Sequence, residues 1–554
     1  MEILQIVITL VLLFALAVPV GTWLYRIISG TRWFADPVFD RVDGWIYRIT
    51  GIDRNEQMSW KKYYLSLLLM NGVMFALLWV FLMVQGFLPL NFNHAQNMSA
   101  PLAFNTAASF ITNTNWQSYS GENISCFTQM MLTAFMFLAP ASGLAAAAAF
   151  LRGVTGTDGL GNFYADVVRF TTRLLLPLSI LAAVILLACG VPQTMTGNRA
   201  VTTLEGTSQI IALGPVASLE AIKNLASNGG GFFNANSAHP FENPNAVSNL
   251  LTIFSMGLIS TSFVFAFGKL TKNKKQGRVL FAVLASLLIL SVGVTYAAEM
   301  GGNPAVAAAG LSQTGNMEGK ETRFGVGGTS LFSAVTSAFQ VGAVNGSQDS
   351  MTPLGGMMSL WNMILQTVFG GKGTGFIYVI LYAILTVFIC GLMVGRTPEY
   401  LGKKIEGKEM KMVAVGIFAH PLFALLPLAL AVLLPAAWHS AGNPGFHGLS
   451  EMLYACISAS ANNGSAFAGL NADTAFWDIT LGTVMLLGRY VPLAAMLCAA
   501  GSLSKKKIIP ESAGTFRTDR PMFGLTLLFI MIIIGALSFF PALVLGPIAE
   551  QLTL

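Results

Sequence analysis

Residues 219–231 read LEAIKNLASNGGG, a short amphipathic stretch followed by a cluster of serine, asparagine and glycine. The stretch lies in a long connection between two apolar runs. Three other connections, at about 87–125, 299–373 and 436–474, contain the same order of features. One such cluster is common in ordinary loops. Four copies, spaced by about 110–120 residues, indicate an internal repeat that determines the fold.

The composition is that of a membrane protein. Of the 554 residues, 54% are hydrophobic and 10% are charged, whereas soluble domains average about 25% charged residues. So few charges cannot cover a large water-exposed surface, which excludes a cytosolic enzyme of ordinary composition, a secreted domain and a disordered adaptor. The net charge of +6 does not indicate a nucleic-acid partner, because the basic residues lie between apolar runs.

Ten apolar runs are long enough to cross a bilayer, which requires about 20 residues. They lie at about 3–25, 63–86, 126–151, 172–192, 247–268, 278–298, 374–395, 412–435, 475–500 and 522–547. Lysine and arginine are concentrated in every second connection, and the intervening connections are long and poor in both. The positive-inside rule therefore predicts that both termini and the four long connections lie outside.

These patterns predict an all-α polytopic membrane protein of about ten transmembrane helices. Four re-entrant pore helices with filter loops would stand in a pseudo-fourfold, potassium-channel-like arrangement. The whole chain, 1–554, forms a single transmembrane domain. Its predicted parts are an extra N-terminal helix (1–30), repeats at 62–151, 168–270, 277–396 and 411–501, and an extra C-terminal helix (520–548).

Only a few structures allow such polar loops at membrane depth. Non-helical backbone at membrane depth is tolerated only where it is buried or lines a cavity. Four loops around one axis can present carbonyl oxygens that replace the hydration shell of a monovalent cation. Glycine permits the backbone geometry that this requires, and the C-terminal end of each short helix favours a cation. In the first loop, Gln117 is predicted to stand near the position that the other loops give to glycine.

Several long motifs resemble KdpA, the family of potassium-translocating subunits of the bacterial Kdp ATPase. They are 112–121 (TNTNWQSYSG), 228–236 (NGGGFFNAN), 239–244 (HPFENP), 316–321 (NMEGKE), 395–404 (GRTPEYLGKK) and 462–469 (NNGSAFAG). Motifs of this length are specific, and the resemblance covers essentially the whole chain. It is weakest in the third filter, around Gly342.

The resemblance implies a non-catalytic, channel-like subunit of an ATP-driven, high-affinity potassium uptake complex in the bacterial inner membrane. External K⁺, the substrate, would be selected in the filter and passed through an intramembrane tunnel to the P-type ATPase subunit KdpB, which hydrolyses ATP. KdpC, the small subunit KdpF and membrane lipid are the other implied partners. No organic cofactor is expected.

The predicted filter residues come from the four loops. They are Asn113, Thr114, Asn115 and Gln117, then Asn228, Gly229, Gly230 and Gly231, then Gly342, and finally Asn462, Asn463 and Gly464. The family also has a loop below the filter that stops ions from entering the cytoplasm directly. That gate is predicted near Gly370, Gly371 and Gly373.

Three charged residues are further candidates for the ion route. Arg489 lies inside the ninth run, where an unpaired guanidinium is costly. It is either half of a structural ion pair or a fixed positive charge beside the route. Glu220, which could pair with Lys223 three residues later, and Glu451 could concentrate cations at the outer mouth or satisfy nearby backbone groups.

Other chemistry is not indicated by the sequence. Residues 366–375 lack the Gly-x₄-Gly-Lys-Ser/Thr order of a phosphate-binding loop, and the chain has no Asp-Lys-Thr-Gly phosphorylation motif. Five scattered cysteines and five histidines lack ligand spacing, so no metal other than K⁺ is expected. One alternative is a stand-alone potassium symporter of the Trk/Ktr type. The other is an integral membrane enzyme, but the lack of clustered catalytic residues at membrane depth argues against it.

Overall fold

Ten long apolar helices form the body of the protein. The structure, a computed structural model, describes residues 2–33, 35–156, 159–312, 315–395, 397–510 and 515–554. Within these ranges, ten helices are long and apolar enough to cross a membrane, which confirms the predicted number. They are Glu2–Ser29, Trp60–Met83, Cys126–Thr155, Phe163–Ala188, Ala246–Leu270, Lys274–Met300, Thr374–Met393, Gly407–Leu433, Ala475–Leu503 and Pro521–Thr553.

Four shorter helices stand in the long connections, as predicted. They are Ala100–Ile111, Val216–Leu225, Gly325–Ala338 and Gly445–Ala461, and we call them the first to fourth pore helices. They are almost entirely buried, although they carry many polar residues. The long apolar helices instead expose leucine, isoleucine and valine on the outside. This arrangement, with polar residues inside and apolar residues outside, suits a protein surrounded by lipid.

After each pore loop, a polar side chain caps the next helix. The caps are Ser125, Asn245, Thr352 and Thr474, whose side-chain oxygens accept main-chain N–H groups of the first turn. Such caps stabilise a helix start by about 0.5–2 kcal/mol. The same kind of cap therefore follows each of the four pore loops. The predicted repeat boundaries stay a prediction, and residue 396, which ends the third repeat, lies outside the described ranges.

The third repeat differs from the others. Thr352 caps a helix at Pro353–Leu365, which a buried loop at 366–373 separates from Thr374–Met393. The prediction that 353–365 belongs to an outer connection is therefore wrong, because this segment is the first half of a broken helix. The break forms where Gln366, Phe369, Gly370 and Gly373 take positive φ. A helical segment of this length is too short to be recognised as a span from hydropathy.

Further short elements accompany the long helices and the pore helices. A helix at Asp36–Thr50, which the sequence analysis did not predict, follows the first membrane helix. Short antiparallel hairpins pair Arg199–Thr202 with Ser208–Ile211, and Glu399–Tyr400 with Lys403–Lys404.

Both termini lie on the side of the molecule where the pore helices begin. A carboxylate oxygen of Glu2 accepts a hydrogen bond from Tyr296 at 3.1 Å and lies near Gly325, the first residue of the third pore helix. Glu550, close to the C-terminus, bonds His447 near the start of the fourth at 2.7 Å. This arrangement agrees with the predicted placement of both termini with the outer connections.

Candidate ion-binding site

The four pore helices end with the same backbone geometry. Just past each helix, a main-chain N–H donates to the carbonyl five residues earlier, at 2.8–2.9 Å in all four copies. The residue before that donor has a positive φ between 50° and 66° each time. This is the Schellman arrangement. The positive-φ residues are Asn113, Ser227, Gln340 and Asn462, and the donors are Thr114, Asn228, Val341 and Asn463.

The loops that follow contact one another around a ring. In the second, third and fourth loops, the third residue of the turn approaches the carbonyl oxygen of the second residue in the neighbouring loop so closely that a Cβ would not fit. Glycine occupies this position in three loops, which explains why a side chain is absent there. The contacts are Gly464 on Thr114, Gly342 on Asn463, and Gly229 on Val341, where an added Cβ would lie 2.8 Å from the oxygen.

The first and second loops close the ring through side-chain amides. Nδ2 of Asn113 donates to the carbonyls of Ala226 and Ser227 at 3.0 and 2.6 Å. Gln117 donates to the carbonyl of Gly231 at 3.0 Å and accepts from its N–H at 2.9 Å. Each loop therefore touches two neighbours, which is the contact pattern of a pseudo-fourfold ring.

The register of the first loop differs from the expected one. The shared hydrogen bonds align Asn115, which has φ 55°, with Gly229, Gly342 and Gly464. The prediction that Gln117 stands at the glycine position is therefore wrong. Gln117 lies farther along the loop and fastens it to the second loop. Neither polar atom of the buried Asn115 amide has a hydrogen-bond partner among the described residues.

Four carbonyl oxygens at equivalent positions lack hydrogen-bond donors. In the part of the chain that the structure describes, no donor reaches them, although all four residues are completely buried. More than nine in ten buried backbone carbonyls in proteins are paired. Four unpaired ones in a single ring are the groups that can replace the hydration shell of a cation. They belong to Thr114, Asn228, Val341 and Asn463.

The second loop makes the ring asymmetric. The Gly229 carbonyl accepts a hydrogen bond from Nδ2 of Asn236 at 2.6 Å, so one oxygen at the glycine level is already engaged. Gly230 packs against Asn115, with 3.3 Å between an added Cβ and the Asn115 Cβ. No equivalent side-chain donor reaches Gly342 or Gly464 within the described ranges.

Arg489 lies below the ring, in a buried cavity lined also by Gln340, Gln366, Thr374 and Asn462. The guanidinium packs against Gly143 and lies 3.5 Å from Oγ1 of Thr374. Among the described residues, no carboxylate pairs with it. Of the two interpretations of Arg489, the fixed positive charge beside a cavity agrees with this geometry.

The predicted gate glycines lie in the loop 366–373, directly below the third filter loop. The N–H of Gly371 donates to Oε1 of Gln340 at 3.2 Å. Gly370 crosses Gly375 so closely that neither position has room for a Cβ, and Gly373 packs against the Cys126–Thr155 helix. Phe369 stacks on Phe339 at 5.6 Å between ring centroids. The loop is completely packed and contributes Gln366 to the cavity that contains Arg489.

A second small cavity lies next to the first. The two share Gln366 and Tyr378. The second reaches His420 and Phe539, on the Gly407–Leu433 and Pro521–Thr553 helices, at the side of the bundle. Two small neighbouring cavities therefore lie between the helices below the ring.

Glu220 is not part of the ring. It pairs with Lys223 at 2.5 Å, as the spacing predicts, and Lys223 also pairs with Glu242 at 2.8 Å. All three side chains are fully buried. Lys223 donates to Oδ1 of Asn236 at 2.9 Å, and the same Asn236 holds the Gly229 carbonyl. Through Asn236, this buried network stabilises the second filter loop.

Glu451 also lies beside the ring rather than in it. It accepts from the N–H of Gly442 at 2.9 Å and from Nδ2 of Asn443 at 2.7 Å. Its carboxylate comes within 4.8 Å of His447 and Asp349, a grouping that histidine spacing in the sequence does not reveal.

His447 links three outer segments. Its ring nitrogens bond Asp349 at 3.1 Å and Glu550 at 2.7 Å. Burial lowers the pKa of His447, but the hydrogen bonds to these two carboxylates outweigh it and raise the pKa to about 10. The imidazolium therefore connects the fourth pore helix to the third repeat and to the C-terminal helix.

Sequence reasoning missed several residues of the site. Ser227, Gln340 and Asn236 have no distinctive motif, and they matter through a positive φ or a single hydrogen bond. The one sequence signal was asparagine at the positive-φ position in the first and fourth loops, since asparagine tolerates that conformation.

Comparisons with known proteins concern the fold and the family of the chain. The fold is similar to that of the potassium transporter TrkH from Vibrio parahaemolyticus, with a TM-score of 0.53 and 13% identity over 87% of this chain and 97% of that one. At this identity the likeness concerns the fold alone.

Sequence relatives match along the full length. Curated proteins named potassium-transporting ATPase potassium-binding subunit are 50% identical in Clostridium acetobutylicum, over 100% of both chains, and 51% identical in Alicyclobacillus acidocaldarius, over 100% of this chain and 99% of that one. The family model described as potassium-transporting ATPase A subunit matches residues 7–552. The chain therefore belongs to the KdpA family.

Proposed function

We propose that this chain is the potassium-binding and translocating subunit of an ATP-driven potassium uptake complex in the bacterial plasma membrane. The ring of four buried, unpaired carbonyl oxygens carries the proposal. The names of the full-length relatives support it. The subunit itself hydrolyses no ATP, which is the task of the P-type ATPase partner, KdpB. KdpC and KdpF complete the proposed complex.

Selection takes place where the ion loses water. The carbonyl dipoles of Thr114, Asn228, Val341 and Asn463 compensate the lost hydration. The pore helices end at the ring, so their partly negative C-termini add to the attraction for a cation. Because the four loops differ in sequence, the ring offers unequal contacts at each level.

The route below the ring turns sideways. In this proposal, the packed loop 366–373 and the charge of Arg489 obstruct a straight path to the cytoplasm, and the two neighbouring cavities, which share Gln366 and Tyr378, support a sideways path. An ion leaving the ring would pass Gln366 and Tyr378 toward the ATPase partner. A fixed positive charge next to this path prevents a cation from resting there.

A stand-alone symporter of the Trk/Ktr type is not favoured. The likeness to TrkH concerns the fold, whereas the full-length sequence matches are to subunits of an ATPase. Affinity purification of the chain from its native membrane separates the two functions. Recovery of a P-type ATPase in stoichiometric amount supports the pump, and recovery of the chain alone with potassium transport intact contradicts it.

Binding of labelled potassium to the purified complex tests the site. Gly464→Asp and Gln117→Arg should weaken potassium binding or relax the discrimination against rubidium while the complex still assembles. Gly206→Asp is the matched control, because Gly206 also has a positive φ (81°) but no atom lies within 4 Å of an added Cβ. Unchanged binding in both filter variants would contradict the proposed site.

A further inference from the structure

The unpredicted helix Asp36–Thr50 has its polar face turned inward. Asp36, Asp40 and Asp43 recur at helical spacing on one face. All three bond the guanidinium of Arg173, at 2.9, 2.6 and 2.7 Å. Asp43 is 1% exposed and also accepts from Oγ1 of Thr172 at 2.7 Å. The acidic face is thus fixed to the protein.

The opposite face is apolar and uncovered. Val38, Val42, Trp45 and Ile49 follow the same helical spacing and are 66, 45, 65 and 65% exposed. A helix that ties its aspartates to an arginine of the protein and exposes tryptophan and isoleucine suits an apolar surrounding rather than water. The predicted topology puts the connection after the first membrane helix in the cytoplasm. The exposed apolar face and the predicted topology together suit a helix at the cytoplasmic interface of the membrane, with its apolar face toward the acyl chains.

A basic pocket opens between this helix and the end of the first membrane helix. Its volume is about 230 Å³, below the roughly 300–1,000 Å³ of pockets that enclose drug-sized ligands. That size suits a headgroup. Five arginines line it: Arg26, Arg32, Arg54, Arg169 and Arg173.

The aspartates neutralise this pocket only in part, because Asp36 and Asp40 also line it but face five arginines. They are directed at Arg173, whereas Arg26, Arg32 and Arg54 have no ion pair among the described residues. Trp23 and Trp33, 5.3 Å apart, also line the pocket, and tryptophan is enriched at the membrane interface. Unpaired arginines beside interfacial aromatic rings are suited to a phosphate that is attached to an acyl chain.

We propose that this pocket binds the headgroup phosphate of an anionic phospholipid of the cytoplasmic leaflet. The arginines bind the phosphate, and the apolar stripe at 38–49 lies beside the acyl chains. The proposal concerns attachment to the membrane and is independent of the potassium site, so either can fail alone.

The test uses the full chain in nanodiscs of phosphatidylcholine mixed with phosphatidylglycerol, and native mass spectrometry counts the lipids that stay bound. Wild-type protein should retain phosphatidylglycerol preferentially. Arg32→Gln/Arg54→Gln should lower that preference about thirty-fold, from about fivefold per arginine. The matched control is Arg41→Gln/Arg48→Gln, which removes the same charge from exposed positions that do not line the pocket, and it should leave the preference nearly unchanged.

Three outcomes would overturn the proposal. An equal loss in both double variants would mean diffuse surface attraction without a pocket. Displacement of phosphatidylglycerol by equimolar inorganic phosphate would mean a free-phosphate site. Loss of the preference when the ATPase partner is bound would mean that a protein covers this face. Potassium binding by Arg32→Gln/Arg54→Gln should stay at the wild-type value, which also shows that the variant is folded.

Discussion

Gly342→Ala tests the ring in its third loop, where the resemblance to the family motifs is weakest. Gly342 has φ 90°, and a Cβ there would overlap the carbonyl oxygen of Asn463. Because the added Cβ is fixed to the backbone of one loop and the carbonyl oxygen belongs to the backbone of the other, one of the two loops must move. The displaced group is one of the four unpaired carbonyls, so the substitution should act on the ion as well as on stability.

The expected loss of affinity follows from the loss of one oxygen. An interaction between a polar group and a charge contributes about 1.5–3 kcal/mol. Removing one carbonyl from the ring should therefore weaken potassium binding about ten- to hundredfold. The positive φ adds roughly 1–2 kcal/mol of destabilisation for alanine, independent of the ion.

Gly310→Ala is the matched control for the backbone cost. Gly310 lies in the same outer connection, has φ 80° and has no atom within 4 Å of an added Cβ. Isothermal titration of the purified complex with potassium should show the loss in Gly342→Ala alone, accompanied by weaker discrimination against sodium. A folded Gly342→Ala complex that binds potassium within twofold of the wild-type affinity would refute the reasoning.

Three further variants follow from the geometry. Gln117→Ala removes two hydrogen bonds to the second loop and should cost about 1–2 kcal/mol of stability, visible as a lower melting temperature; an unchanged melting temperature would contradict this role. Arg489→Gln should tighten potassium binding severalfold and slow transport, because the repelling charge is gone; unchanged binding and transport would exclude that role. Because the pKa of His447 is raised from 6.5 to about 10, its stabilisation is complete below pH 6.5 and is lost as pH rises toward 10. Melting curves should show this decline in wild type and in the control His439→Gln, but not in His447→Gln.

The sequence predicted the membrane architecture because long-range periodicity and charge placement carry it. Each of the ten observed spans overlaps a predicted apolar run. The helix at Asp36–Thr50 was missed because its apolar residues form a single stripe among charged residues. The mean hydropathy of the segment is therefore low, and no apolar run stands out. Pro353–Leu365 was missed because this half of the broken helix, with 13 residues, is too short to be recognised as a span.

The site could be predicted only in outline. Clusters of asparagine and glycine located the four loops, but their register depends on a backbone hydrogen bond that no motif encodes. For this reason Gln117 was assigned the position that Asn115 occupies. The sequence located Glu220 and Glu451 on the short helices, and it predicted the pairing of Glu220 with Lys223. It did not show that Lys223 also pairs with Glu242, which lies farther along the same connection and completes the buried network.

The most direct measurement is a structure of the complex determined with thallium or rubidium in place of potassium. The ion density is predicted inside the ring, in contact with the carbonyl oxygens of Thr114, Asn228, Val341 and Asn463. Ion density that lies elsewhere, with these four oxygens hydrogen-bonded to protein donors, would contradict the account.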